Sequence, residues 1–175
     1  MFSPYPVWQN SSDSYKFRTD FGVVFRVVFT RNQDIWQDNE AYEFGLFNEN
    51  GLTSPNDTKV KATIQCIIEE FFLTNPNILL YQCETGDNRQ AMRARLFKRW
   101  FSDYEFAERY CVKVSVLKAD NIDNYIALIV QSNNPKLEGI IRDFDEFIGF
   151  FGTKVSVSAM LVYTRQKKYR SSFYS

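Results

Sequence analysis

Histidine is absent from this 175-residue sequence. It is the side chain that most often acts as general base near neutral pH, activates serine or cysteine nucleophiles and binds metals. Ser-His-Asp triads, Cys-His pairs and most zinc sites are excluded with it. Carboxylate, tyrosine, lysine or cofactor chemistry remains, as does no chemistry at all, so no catalytic residue and no metal ligand are assigned. Net charge is lacking too, because 21 Lys and Arg balance 21 Asp and Glu. A dedicated nucleic-acid binder carries a basic excess, so any such activity has to be local. No apolar run approaches the roughly 20 residues needed to cross a bilayer. The first residues, Met1 to Ser12, are polar and aromatic, without the basic and then apolar order of a leader. Cysteine is scarce. Cys66, Cys83 and Cys111 form no C-x-x-C pair and each sits in an apolar run, the pattern of small buried thiols in a reducing cytoplasm.

Aromatic residues are plentiful: 17% of the chain, including 17 Phe and 10 Tyr. Such a chain builds a core and is far from the composition of disordered proteins. The same surplus exceeds what the interior of one small domain hides, which points to a protein partner or a homo-oligomer.

Residues 1–13 read as a polar lead-in, 14–163 as one α+β domain and 164–175 as a basic, aromatic tail. Tyr15 and Phe17 alternate with Lys16 and Arg18, Asp20-Phe21-Gly22 makes a turn, and Val23 to Phe29 forms the return strand of a hairpin. A third strand spans 41–47 and closes at Asn48-Glu49-Asn50-Gly51. Ser54-Pro55-Asn56-Asp57 opens a helix with Val60, Ile64, Ile67, Ile68, Phe71 and Phe72 at helical spacing, and Asn75-Pro76 ends it. A short strand at 78–83 leads through Glu84–Asn88 to a second helix, Arg89 to about Ser102. Strands at 110–118 and 125–131 follow, joined by Asp120–Asn124. A third helix after Asn134-Pro135 carries Leu137, Ile140, Ile141, Phe144, Phe147, Ile148 and Phe151, and a last strand spans 155–163. The order βββ-α-β-α-ββ-α-β predicts a single mixed β-sheet with three packed helices.

That order over roughly residues 15–131 resembles the acetyl-CoA-dependent N-acetyltransferase superfamily (GNAT). Asp87-Asn88-Arg89-Gln90-Ala91 and Ala94-Arg95-Leu96-Phe97 are similar to its second helix, with Trp100-Phe101 where Gly-Phe stands there. The resemblance implies an acyl-CoA cofactor gripped by a Gln/Arg-x-x-Gly-x-Gly/Ala loop. At the matching place this sequence reads Asn56-Asp57-Thr58-Lys59-Val60-Lys61-Ala62-Thr63, without glycine and with an acid. Phe97 stands where that family often has a tyrosine general acid. The implication is a retained scaffold with the activity lost. The chain also resembles, over nearly its whole length, a family of small bacterial proteins of unknown function. Tyr81-Gln82-Cys83-Glu84, Arg93 through Phe101, and Asn134-Pro135 leading to Phe144-Asp145-Glu146-Phe147 carry that likeness.

Thr85, Gly86, Asn88, Arg89 and Arg93 form the candidate anion site, two guanidinium groups beside helix N-terminal amides. A wheel at about 100° per residue puts both arginines on the side of Met92, Leu96, Phe97, Trp100 and Phe101. The alternative is an internal ion pair with Glu84, Asp87 or another acid, the arginine stem packing on Trp100. Arg95, Lys98 and Arg99 make a basic ridge opposite, either a phosphate-contacting surface or an ordinary solvated face. The tail mixes Arg165, Lys167, Lys168, Tyr169 and Arg170, suited to single-strand stacking, to a partner or to solubility. Glu69-Glu70 and Asp143, Asp145 and Glu146 do not converge as metal ligands do, and the loop 120–124 lacks the glycine and terminal glutamate of a calcium loop.

The expectation is a non-catalytic protein-interaction or regulatory domain on a degenerate GNAT-like scaffold, cytoplasmic and without cofactor. The alternatives are an N-acyltransferase that uses acetyl-CoA, with Tyr81 or Glu84 as acid or base, and a nucleic-acid accessory protein.

Overall fold

The computed structural model describes residues 3–32, 36, 40–83, 89–102, 104–119 and 121–151. The expected last strand and the basic tail lie outside them. Seven strands, β1 (Val7–Ser11), β2 (Ser14–Arg18), β3 (Val24–Asn32), β4 (Ala41–Asn48), β5 (Ile78–Gln82), β6 (Tyr110–Ala119) and β7 (Ile122–Gln131), form one mixed sheet in the order β1-β2-β3-β4-β5-β7-β6. The described helices are α1 (Thr58–Thr74), α2 (Gln90–Trp100), α3 (Tyr104–Arg109) and α4 (Leu137–Phe151). The fold is α+β, as its sequence predicts, with β1 and α3 added to the expected order. None of the described helices is long and apolar enough to cross a membrane.

The chain groups into two compact units, residues 1–30 with 43–76 and residues 31–42 with 77–175. In the first unit, β2 and β3 pair antiparallel with Phe17 opposite Phe25. Period-2 alternation turns Phe25, Val27 and Phe29 inward. Phe29 meets the apolar stripe of α1, where Ile64, Ile68, Phe71 and Phe72 are buried, and its ring stacks on that of Phe71 at 4.5 Å. Each such buried side chain contributes about 1.5–3 kcal/mol of transfer free energy. The turn at Asp20-Phe21 closes on Gly22, whose φ of +79° suits glycine, while Thr19 takes the Val23 N–H on its hydroxyl. On the other face of these strands, Lys16 and Arg26 both bridge to Glu49, at 2.8 and 2.7 Å, and Arg26 lies 4.8 Å from the centre of the Phe47 ring.

In the second unit, β5 and β6 each pair antiparallel with β7. The Ile78 N–H donates to the Glu40 carbonyl at 3.1 Å, laying the start of β5 beside the residue that leads into β4. One face of β5-β7-β6 presents Ile78, Leu80, Leu117, Ile126, Leu128 and Val130 to Ile140, Phe144 and Phe147 of α4. The other face carries an aromatic file: Tyr81 stacks on Phe97 at 4.2 Å, followed by Phe101, Phe106 and Tyr110. Sheet alternation thus places α2 and α3 on one side and α4 on the opposite side. Ala119 pairs directly with Ile122, so Ile122, Asp123 and Asn124 belong to β7 and not to the longer loop expected, and Asn121 takes a left-handed φ of +61°.

Candidate functional site

The start of α1 is where the acyltransferase resemblance places a pyrophosphate. Asp57 is its N-cap, with Oδ1 accepting the Lys59 N–H at 2.9 Å. The second carboxylate oxygen accepts the Tyr5 hydroxyl at 2.7 Å, and that hydroxyl in turn accepts the Asp20 N–H at 3.2 Å. The Tyr5 N–H donates to Thr63 Oγ1 at 2.8 Å, whose hydroxyl donates to the Lys59 carbonyl at 2.6 Å. Lys59 Nζ sits 2.7 Å from Asp20 and 5.1 Å from the centre of the Tyr5 ring. The helix start is therefore closed by the protein's own side chains. Burial pushes the Tyr5 phenol up, and the neighbouring Asp57 carboxylate adds to the shift. The Lys59 ammonium holds the Asp20 carboxyl below its usual range. Sequence reasoning marked Asp57 but missed Tyr5 and Asp20. The available signal was Pro4-Tyr5-Pro6, an aromatic held between two fixed φ angles.

Of the anion-site candidates, Thr85, Gly86 and Asn88 lie outside the described residues, as does Glu84. Arg89 is the N-cap residue of α2, exposed and without a side-chain capping bond, and Arg93 is half-buried one turn on. Both arginines engage other groups. The tail residues Arg165, Lys167, Lys168, Tyr169 and Arg170 also lie outside the described residues.

The wheel reading of α2 needs correction. Ala94, Phe97 and Phe101 are buried, whereas Met92 and Leu96 are exposed. The helix carries two apolar stripes, and the one that stacks on Tyr81 and Phe106 faces the sheet. Arg95, Lys98 and Arg99 are exposed, but Arg95 and Arg99 share the solvent side with Met92 and Leu96 and do not lie opposite them as expected. A further expectation of burial, that of the cysteines, fails. Cys66 is exposed and Cys111 half-buried, leaving Cys83 as the buried thiol. Burial pushes the Cys83 thiol up against the smaller opposing effects of Tyr81 and Arg93, which keeps it protonated and unreactive at neutral pH. Asp145 is bridged by Lys113 at 2.5 Å, and no group of three or more Cys, Asp or Glu among the described residues is arranged to hold a metal ion.

Together these features define an α+β domain with a self-closed helix start and a cationic helix face. The chain belongs to a family of unknown function (DUF6169), whose sequence pattern matches residues 56–146. The match spans just over half the chain, from the cap of α1 into α4, and not nearly the whole length as expected. No curated protein and no solved structure matches the chain.

Proposed function

We propose that this chain is a non-catalytic protein-interaction or regulatory domain. Its scaffold has the element order of the acetyl-CoA-dependent N-acetyltransferases, and it works in the bacterial cytoplasm without a cofactor. The observation that carries this reading is the closed start of α1. A pyrophosphate needs free backbone N–H groups at a helix start and close backbone approach. Here Asp57 takes the Lys59 N–H and places a carboxylate where the anion would lie, and Tyr5 holds that carboxylate from the far side. Phe97, at the position of the family's frequent tyrosine acid, is buried in a ring stack and has no proton to give. In the first unit, exposed Trp8, Phe21 and Phe47 supply aromatic surface of the kind that partners use.

The test is thermal unfolding with acetyl-CoA. A ligand that binds only the folded state raises Tm, by about 2.7 kcal/mol of stabilisation at a hundredfold excess over Kd. The expected result is an unchanged Tm at millimolar acetyl-CoA. A concentration-dependent rise overturns the reading and restores the acyltransferase alternative.

A further inference from the structure

On α2 the residues diametrically opposite the buried Ala94, Phe97 and Phe101 are Met92, Arg95, Leu96 and Arg99, at the i, i+3, i+4, i+7 spacing of a docking stripe. Met92 is 53% and Leu96 37% exposed, so apolar surface lies between two guanidinium groups. Residues 89–101 hold five cations and no acid. Arg95, Lys98 and Arg99 form no ion pair among the described residues.

The opposite face of the same three strands has the opposite character. On the solvent side of α4, Glu138, Arg142, Asp145 and Glu146 line a shallow hollow whose edge is Ile141, half-buried with its inner side against the core. Asp143 is held by Arg142 at 3.3 Å and Asp145 by Lys113, but Glu138 and Glu146 have no cationic partner among the described residues. These two lie about 12 Å apart along the helix, a span that covers the roughly 6 Å from Arg95 to Arg99. A neutral chain with such segregated charge has no net repulsion against its own copies and a built-in preferred orientation.

We propose that α2 of one copy seats on α4 of a second, with Arg95 and Arg99 against Glu138 and Glu146 and with Met92 and Leu96 covering Ile141. This rests on the reading of the chain as an interaction domain and names a second copy as the partner. Because the two helices lie on opposite faces of β5-β7-β6, one pair of copies does not satisfy both surfaces. The contact is heterologous and grows head to tail.

Sedimentation velocity on the full chain tests this at about 0.05 M and about 0.5 M salt, conditions on either side of strong screening. Association that rises with protein concentration at low salt and is lost at high salt is expected. Arg95→Glu with Arg99→Glu, and separately Glu138→Lys with Glu146→Lys, should each sediment as monomer with an unchanged circular dichroism spectrum. An equimolar mixture of the two variants should associate again, because each supplies the surface that the other now fits. Deleting residues 164–175 should leave the association intact. Folded variants that associate alone as the parent chain does, or a mixture that stays monomeric, overturn the proposal, as does loss of association on deleting the tail. A monomeric parent chain that retards a single-stranded oligonucleotide through Arg95 and Arg99 reassigns α2 to nucleic acid and overturns it too. A monomeric parent chain with no Tm response to acetyl-CoA defeats this inference alone, whereas a Tm response defeats the interaction-domain reading beneath it.

Discussion

Tyr5 concentrates three interactions of different kind in one side chain and its amide. It donates to Asp57, accepts from Asp20 and ties its own N–H to Thr63 across 58 positions of sequence. A buried hydrogen bond contributes about 0.5–1.5 kcal/mol net, and stranding its partner costs about 1–3 kcal/mol. Tyr5→Phe should therefore destabilise the fold by about 1–2 kcal/mol, and Asp57→Ala, which also removes the helix cap, by about the same or more. The two losses should not add, because each variant breaks the same bond. Urea unfolding of both single variants and the double variant checks this, and strict additivity would mean that the 2.7 Å contact contributes nothing. Asp57 was legible as a cap from Ser54-Pro55-Asn56-Asp57 alone, because capping is local. Tyr5 was not, since its partners lie more than 50 positions away or across a turn and leave no periodic trace.

Among the elements, α1 was the most readable: its start, its apolar stripe and its end at Asn75 all stand in the sequence. The strand β1 was hidden because all five of its residues are exposed, so no alternation marks it. The short α3, six residues, has too few turns to show a stripe. The helix α2 was found, but its orientation was not, because two apolar stripes compete and only the tertiary partner decides between them. Its observed orientation makes a contrast. Phe97→Ala should cost about 3–5 kcal/mol as a buried aromatic truncation. Leu96→Ala, next to it in sequence, should stay within about 0.5 kcal/mol as a surface change. Thermal or urea unfolding of the pair measures the difference, and a reversed order would place Leu96 against the sheet.

For the whole molecule, acid is the revealing variable. Lys59 holds Asp20 below the ordinary carboxylate range, and Lys16 first and Arg26 second do the same for Glu49. A carboxyl whose folded pKa is depressed adds stability that is fully present above its unfolded value and is lost as pH falls through the folded one. Tm should stay level down to about pH 5 and decline below about pH 4. Asp20→Asn combined with Glu49→Gln should make that decline shallower. Asp20 is largely solvated and Glu49 partly so, and the flattening should be partial. A decline of unchanged slope in the double variant would remove these bridges from the acid response.

The bedding of α1 crosses the edge of the family pattern. The family pattern begins at residue 56 and so takes in the helix, while Phe29, which stacks on its Phe71, comes from before that point. The shared stretch is thus a tenant without its floor. A fragment of this chain cut at residue 56 would therefore lay Ile64, Ile68 and Phe71 open to water, although it would keep every position that marks the family.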